Sequence, residues 1–201
     1  MKEKLKKTWN FIWNDDSIWS WILSLILAFI IVKFIFFPLL SFSLSTQLPL
    51  VVVESSSMHH PGSLVGNAIG TQDSFQLWWS QAKDWYQSRN ITEEDAESWP
   101  LRTGMEKGDI IVVYGRGEPE PGDIIIFNAD TQHPIIHRII SKKMVNGKIV
   151  YSTKGDSNSG QLDIEKEIPD DALVGKAVFR IPKLGWVKLV FVELYKGFAG
   201  S

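Results

Sequence analysis

Cysteine is absent from this 201-residue chain, so disulfides, thiol nucleophiles and cysteine-ligated zinc are excluded at once. Histidine is scarce, at four residues, and no His-Glu-x-x-His pattern joins any of them. No metal and no cofactor is expected on that basis. A basic stripe is missing too: the formal net charge is -2, and nucleic acid is not an expected partner. Internal repeats and low-complexity tracts do not occur. The most consequential absence is local. Residues 17–32 carry no charge, and those sixteen positions hold five isoleucines, three leucines and two tryptophans.

An uncharged run that covers every helical face does not suit a helix of a soluble protein. Lys33 interrupts it, and residues 34–40 continue the apolar character. At the helical rise, residues 17–40 span about 36 Å, enough to cross a hydrocarbon core of about 30 Å. A transmembrane anchor is therefore expected over 17–40, with the Lys33 ammonium reaching headgroups or water and Pro38 ending the helix. The run is longer than a cleaved signal peptide needs, and SFSLSTQLP after it shows no small-x-small cleavage site. Lys2, Lys4, Lys6 and Lys7 against Glu3 place residues 1–16 in the cytoplasm. Residues 41–201 then lie outside a single-pass anchor in the cell membrane, with the lipid bilayer as a partner.

Beyond the anchor, short runs rich in valine and isoleucine alternate with turn residues. They cover residues 50–54, 109–114, 123–127, 135–140, 148–153, 172–181 and 186–192, and each is expected to be a strand. Asn146-Gly147 favours a two-residue hairpin, which folds 139–144 back onto 148–153. The fold class expected is mainly β: an N-terminal transmembrane helix followed by an antiparallel, barrel-like β domain. A helical, aromatic insertion at 62–104 interrupts it. Phe75, Trp78, Trp79, Ala82, Trp85 and Tyr86 recur at helical spacing over 73–87. Thr92-Glu93-Glu94-Asp95 resembles a capping arrangement for a second helix, which Pro100 stops. The aromatic stripe suits docking on the same domain or lying at a membrane interface. Asn90-Ile91-Thr92 matches a glycosylation acceptor pattern.

The chemistry-bearing residues lie at the ends of two of these strands. The apolar run before Ser55-Ser56-Ser57-Met58 delivers hydroxyls at its end. A serine hydroxyl is a poor nucleophile until a base accepts its proton. His137 sits in an apolar strand, sharing one face with Ile135 and Ile139 while Arg138 points to the other. A polar turn follows with Asp156 and Asp163. Nucleophile, base and orienting acid are the parts needed to attack an amide, and they are recognised by role rather than chain order. Of the other histidines, His59 is a competing base, while His60 and His133 fall near the same centre.

These boxes together resemble the type I signal peptidases of the archaeal and endoplasmic-reticulum class, serine–histidine peptidases of family S26. That family has an anchor, then Ser-Gly-Ser-Met, Gly-Asp boxes, Ile-Val-His-Arg-Val and Thr-Lys-Gly-Asp-Asn-Asn with a later aspartate. The counterparts here are Ser55-Ser56-Ser57-Met58, Lys107-Gly108-Asp109 with Gly122-Asp123, and Ile135-Ile136-His137-Arg138-Ile139. The last box is Thr153-Lys154-Gly155-Asp156-Ser157-Asn158 with Asp163. The resemblance implies Ser57 as nucleophile, His137 as general base and Asp163 as the acid that orients it. Asp156 is the runner-up for that last role or a support of the same network, and Ser55 is an oxyanion donor. It also implies the activity of a serine endopeptidase, signal peptidase I, acting on the signal peptides of secreted preproteins, with accessory subunits or translocation machinery as further partners. Ser56 replaces the usual glycine, and the Asp156–Asp163 spacing is one residue longer than in the endoplasmic-reticulum form. Two other readings compete: a membrane-tethered binding module using residues 62–104, and a processing peptidase for a narrower precursor such as a prepilin.

Overall fold

The computed structural model of the protein describes residues 2–62, 72–129, 131 and 133–199. The chain divides into two units, Met1–Ser43 and Leu44–Ser201. In the first, α1 (Lys2–Asn14) precedes α2 (Ile18–Ile31). Ser17 caps α2 by accepting the Ser20 amide at 3.3 Å, and the Ser20 hydroxyl donates to the Phe11 carbonyl at 2.6 Å. The helix does not end at Pro38. It passes through a π turn (Val32–Phe36) into α3 (Phe37–Leu44), so that Ile18–Leu44 is one helix long and apolar enough to cross a membrane. Proline removes one amide and crowds the carbonyl four residues back; the wider turn just before Pro38 accommodates both effects where a regular helix would break.

The second unit is a curled, open antiparallel sheet of seven strands, a half-barrel, in the order β1-β2-β7-β3-β4-β5-β6. The strands are β1 (Leu50–Val52), β2 (Ile110–Tyr114), β3 (Ile124–Phe127), β4 (Ile135–Val145), β5 (Lys148–Lys154), β6 (Ile168–Pro169) and β7 (Leu173–Ile181). The β4–β5 hairpin closes at Asn146-Gly147, where both residues take positive φ, 50° and 77°, as the tightest hairpin turn demands. β3 is buried on both faces. Ile124 and Ile126 join Val53, Met58, Met105, Ile111 and Val113 on one side, while Ile125 and Phe127 join Ile139, Tyr151 and Ile168 on the other.

Residues 186–192 are not a strand. They open α6 (Trp186–Ala199), whose Leu189 is buried while Val187, Val190, Phe191 and Leu194 are exposed. The valines suit either element, and the apolar spacing of three and four decides for the helix. The insertion forms α4 (Gln72–Gln87) and α5 (Glu93–Ser98); residues 63–71 of it lie outside the described residues. Thr92 and Asp95 form a reciprocal capping box, with bonds of 2.8 and 3.1 Å. The aromatic stripe faces inward: Phe75, Trp78, Trp79 and Tyr86 are at most 3 % exposed and pack with Ala96 and Ile140. Domain docking, rather than a membrane interface, accounts for these rings.

Candidate active site

β1 delivers Ser57 by way of a tight turn anchored on both sides. The Val53 amide donates to the Asp109 carbonyl at 2.9 Å, and Gly108 returns a bond to the Val53 carbonyl at 2.8 Å. Past Glu54, the chain turns through Ser55–Ser57, and the His59 amide closes the turn on the Ser56 carbonyl at 3.0 Å. Met58 plugs this turn into the core at 1 % exposure, which leaves Ser57 half-buried beside it. The Ser55 and Ser57 hydroxyls lie 3.1 Å apart.

His137 reaches the same place from β4, opposite Ile125 of β3. The residue is 4 % exposed, and Nδ1 is paired with Glu165 Oε1. Glu165 is fully buried and ends a short 3-10 turn, Asp163–Glu165, in which its other oxygen accepts the Leu162 amide at 2.6 Å. The other imidazole nitrogen is located by Gly155. A Cβ added there would stand 2.8 Å from His137 Nε2 and 2.9 Å from the Ser57 carbonyl. His137 Nε2 and the Ser57 backbone therefore border the same small space. Any side chain at position 155 would displace one of them. The Ser157 amide, donating to the Ser57 carbonyl at 2.8 Å, ties the turn to the serine directly.

Asp163 does not join this group. Its carboxylate is exposed and pairs with Lys166 at 2.6 Å, so the carboxylate on His137 is that of Glu165. Residue type offers no signal to separate the two acids of Asp163-Ile164-Glu165; the 3-10 turn points one to solvent and the other inward. Asp156 is buried beside Arg138, not His137. Arg138 Nε and Nη2 hold its two oxygens at 2.6–3.2 Å, and His60 Nε2 meets it at 3.0 Å. Burial alone would raise the Asp156 pKa, but the Arg138 charge and the bonds from His60 and Arg138 hold it well below the usual carboxylate range. Burial in turn lowers His60, against the pull of Asp156. His59 turns away to Glu106 at 2.6 Å, and His133 is exposed. Among the described residues no group of three acidic or imidazole side chains is placed to hold a metal ion.

No family model matches the chain. It is similar to the signal peptidase complex catalytic subunit SEC11 of fungi. Against that of Pyricularia oryzae it is 28% identical over 106 residues, covering 48% of this chain and 61% of the relative. The figures are 29% over 104 residues, 48% and 63% for Scheffersomyces stipitis, and 25% over 109 residues, 48% and 60% for Yarrowia lipolytica. The chain thus spans about three fifths of the length of the relatives it matches.

Proposed function

We propose that this chain is a membrane-anchored serine endopeptidase that removes signal peptides from exported preproteins. Ser57 is the nucleophile, His137 the general base and Glu165 the carboxylate that fixes the base. The observation that carries this reading is the double approach to Gly155. It sets His137 Nε2 beside the Ser57 residue while Nδ1 is occupied by a buried acid. In that arrangement Nδ1–H is directed at Glu165, and Nε2 is the atom that takes the Ser57 proton as the hydroxyl attacks the scissile carbonyl. The developing oxyanion is met by the Ser57 amide and the Ser55 hydroxyl; one such donor is typically worth about 3 kcal/mol. His137 then gives the proton to the leaving amine, and the same nitrogen activates water to release the acyl group. Asp156 acts one step removed, holding Arg138 and the turn that carries Gly155.

The similarity to catalytic subunits of a signal peptidase complex supports the substrate class and makes accessory subunits expected partners. The helix Ile18–Leu44 supports anchoring, and the lysines before it support an N-terminus in the cytoplasm with the sheet on the far side. β1, at an edge of the sheet and leading directly to Ser57, offers its open side to an extended substrate by strand addition.

The test is cleavage of a preprotein by the detergent-solubilised protein. Wild type is expected to release the mature chain, and Ser57→Ala and His137→Ala are each expected to abolish release. Cleavage that survives either substitution would exclude this mechanism.

A further inference from the structure

Three rings of the insertion hold one short turn of the catalytic sheet. The Trp78 indole Nε1 donates to the Asp156 carbonyl at 2.9 Å. The same ring lies flat on His60, centroids 4.4 Å apart and planes within 4°, and His60 meets the Asp156 carboxylate. Lys154, buried at 1 % exposure, sets its ammonium 5.0 Å from the centroids of both Trp85 and Tyr86. From there it donates to the Gly155 carbonyl at 3.0 Å and the Asp156 carbonyl at 3.3 Å. The turn gripped in this way is the one whose Gly155 borders His137 Nε2 and whose Ser157 amide binds the Ser57 carbonyl.

We propose that the helical insertion is a positioning element for the reaction, with Trp78 setting how closely the Gly155 turn approaches His137 and Ser57. This rests on the peptidase reading above. The His137 ring is confined by Glu165 at one nitrogen and by the Gly155 backbone at the other. If the turn withdraws by a fraction of an ångström, the ring gains freedom on its reactive side and the Ser57 carbonyl loses its donor. Substrate contacts along β1 are untouched by that movement. The cost therefore falls on the chemical step rather than on binding, because small misplacements of reacting groups weigh heavily in rate. A role limited to packing makes a different demand: any loss from the aromatic cluster would lower stability, and none would alter turnover by the folded molecules.

Two substitutions separate these roles. Trp78→Phe keeps a ring over His60 but removes the donor to Asp156. Trp79→Phe removes comparable volume from the same cluster. Both are expected to lower the melting temperature of the full-length protein. Only Trp78→Phe is expected to reduce kcat for preprotein cleavage, by about tenfold or more, with KM within about twofold of wild type. Imidazole 1H–15N spectra read the same effect without substrate: the His137 resonances should move in Trp78→Phe and stay in Trp79→Phe. If wild type cleaves nothing yet those resonances move as stated, the peptidase reading fails and its kinetic consequence with it, while the hold of Trp78 on the surroundings of His137 stands. His137 resonances unmoved by Trp78→Phe, or moved equally by Trp79→Phe, overturn the positioning role whether or not cleavage is observed.

Discussion

His137 and Arg138 are consecutive residues of β4, and each holds a buried carboxylate, but their surroundings differ in kind. Arg138 is fully buried with its donors engaged. Asp156 takes Nε and Nη2, the Pro100 and Gly122 carbonyls take Nη1, the Leu101 carbonyl shares Nη2, and Trp99 covers the guanidinium at 5.1 Å. His137 is held by Glu165 at Nδ1, while Nε2 faces the space shared by Gly155 and Ser57. Strand alternation sends the two side chains to opposite faces, so one pair can be sealed without sealing the other. The lesson concerns how a site is built. A saturated ion pair fixes the turn beside its neighbour, and the neighbour keeps one nitrogen turned toward the space bordered by Gly155 and Ser57.

The sharpest way to break this comparison is to neutralise, one at a time, the two acids of the 3-10 turn. Glu165→Gln preserves shape but removes the negative charge that holds the imidazole and balances its protonated form. A fall in kcat of about 10⁴-fold is expected, in line with the cost of neutralising the acid of a serine–histidine triad. Asp163→Asn, on an exposed side chain, is expected to leave kcat within about twofold. Preprotein cleavage by both variants checks this. Equal losses, or the larger loss at Asp163, would return the orienting role to the acid that the sequence resemblance implies.

The Arg138 side of the comparison is a matter of stability. Arg138→Met strands the Asp156 carboxylate in the interior and leaves the Pro100, Gly122 and Leu101 carbonyls without this donor, a destabilisation of about 3–5 kcal/mol. Urea denaturation should show this as a lower midpoint. Adding Asp156→Asn to Arg138→Met should recover part of the loss, because the stranded charge is then gone. A double variant no more stable than the single one would mean that Asp156 does not depend on Arg138 for its charge.

Much of this was legible in the residues, and the exceptions share a cause. The hairpin at Asn146-Gly147, the capping box at Thr92 and the inward aromatic stripe are local patterns whose physics lies within a few residues, and the structure shows each of them. The expected approach of Ser57 and His137 rests on similar marks, hydroxyls in the turn after one apolar run and an imidazole within another, and in the structure both residues border Gly155. What escaped depends on contacts between remote parts. Glu165 and Asp163 are distinguished only by which way a 3-10 turn faces once β5 and β6 have paired. The meeting of Trp78 with the Asp156 carbonyl joins residues 78 positions apart, and no periodicity announces it. Pro38 and residues 186–192 misled through local rules: a proline can be absorbed by a π turn, and valine-rich runs suit strand or helix alike.

Lys154 offers the finest test of how the two faces share one turn. Burial lowers its pKa to about 8 against the pull of Asp156 and Glu165, and the like charges of Arg138 and Arg89 reinforce that lowering. In the unfolded chain it returns to 10.5. Below pH 8 both states carry the proton, and this group adds no pH dependence. Between about 8 and 10.5 the unfolded chain holds a proton that the native state has released, so stability rises with pH across that window. Lys154→Met lacks the titrating group. The stability of wild type relative to Lys154→Met should therefore be flat from pH 6 to about 8 and then increase, by about 3 kcal/mol once the window is crossed. Urea midpoints of the two proteins at matched pH give the difference directly, since groups common to both largely cancel. A difference that stays level to pH 10.5 would mean that the ammonium pays no burial cost, and that Trp85 and Tyr86 with the two carbonyls solvate it as well as water does.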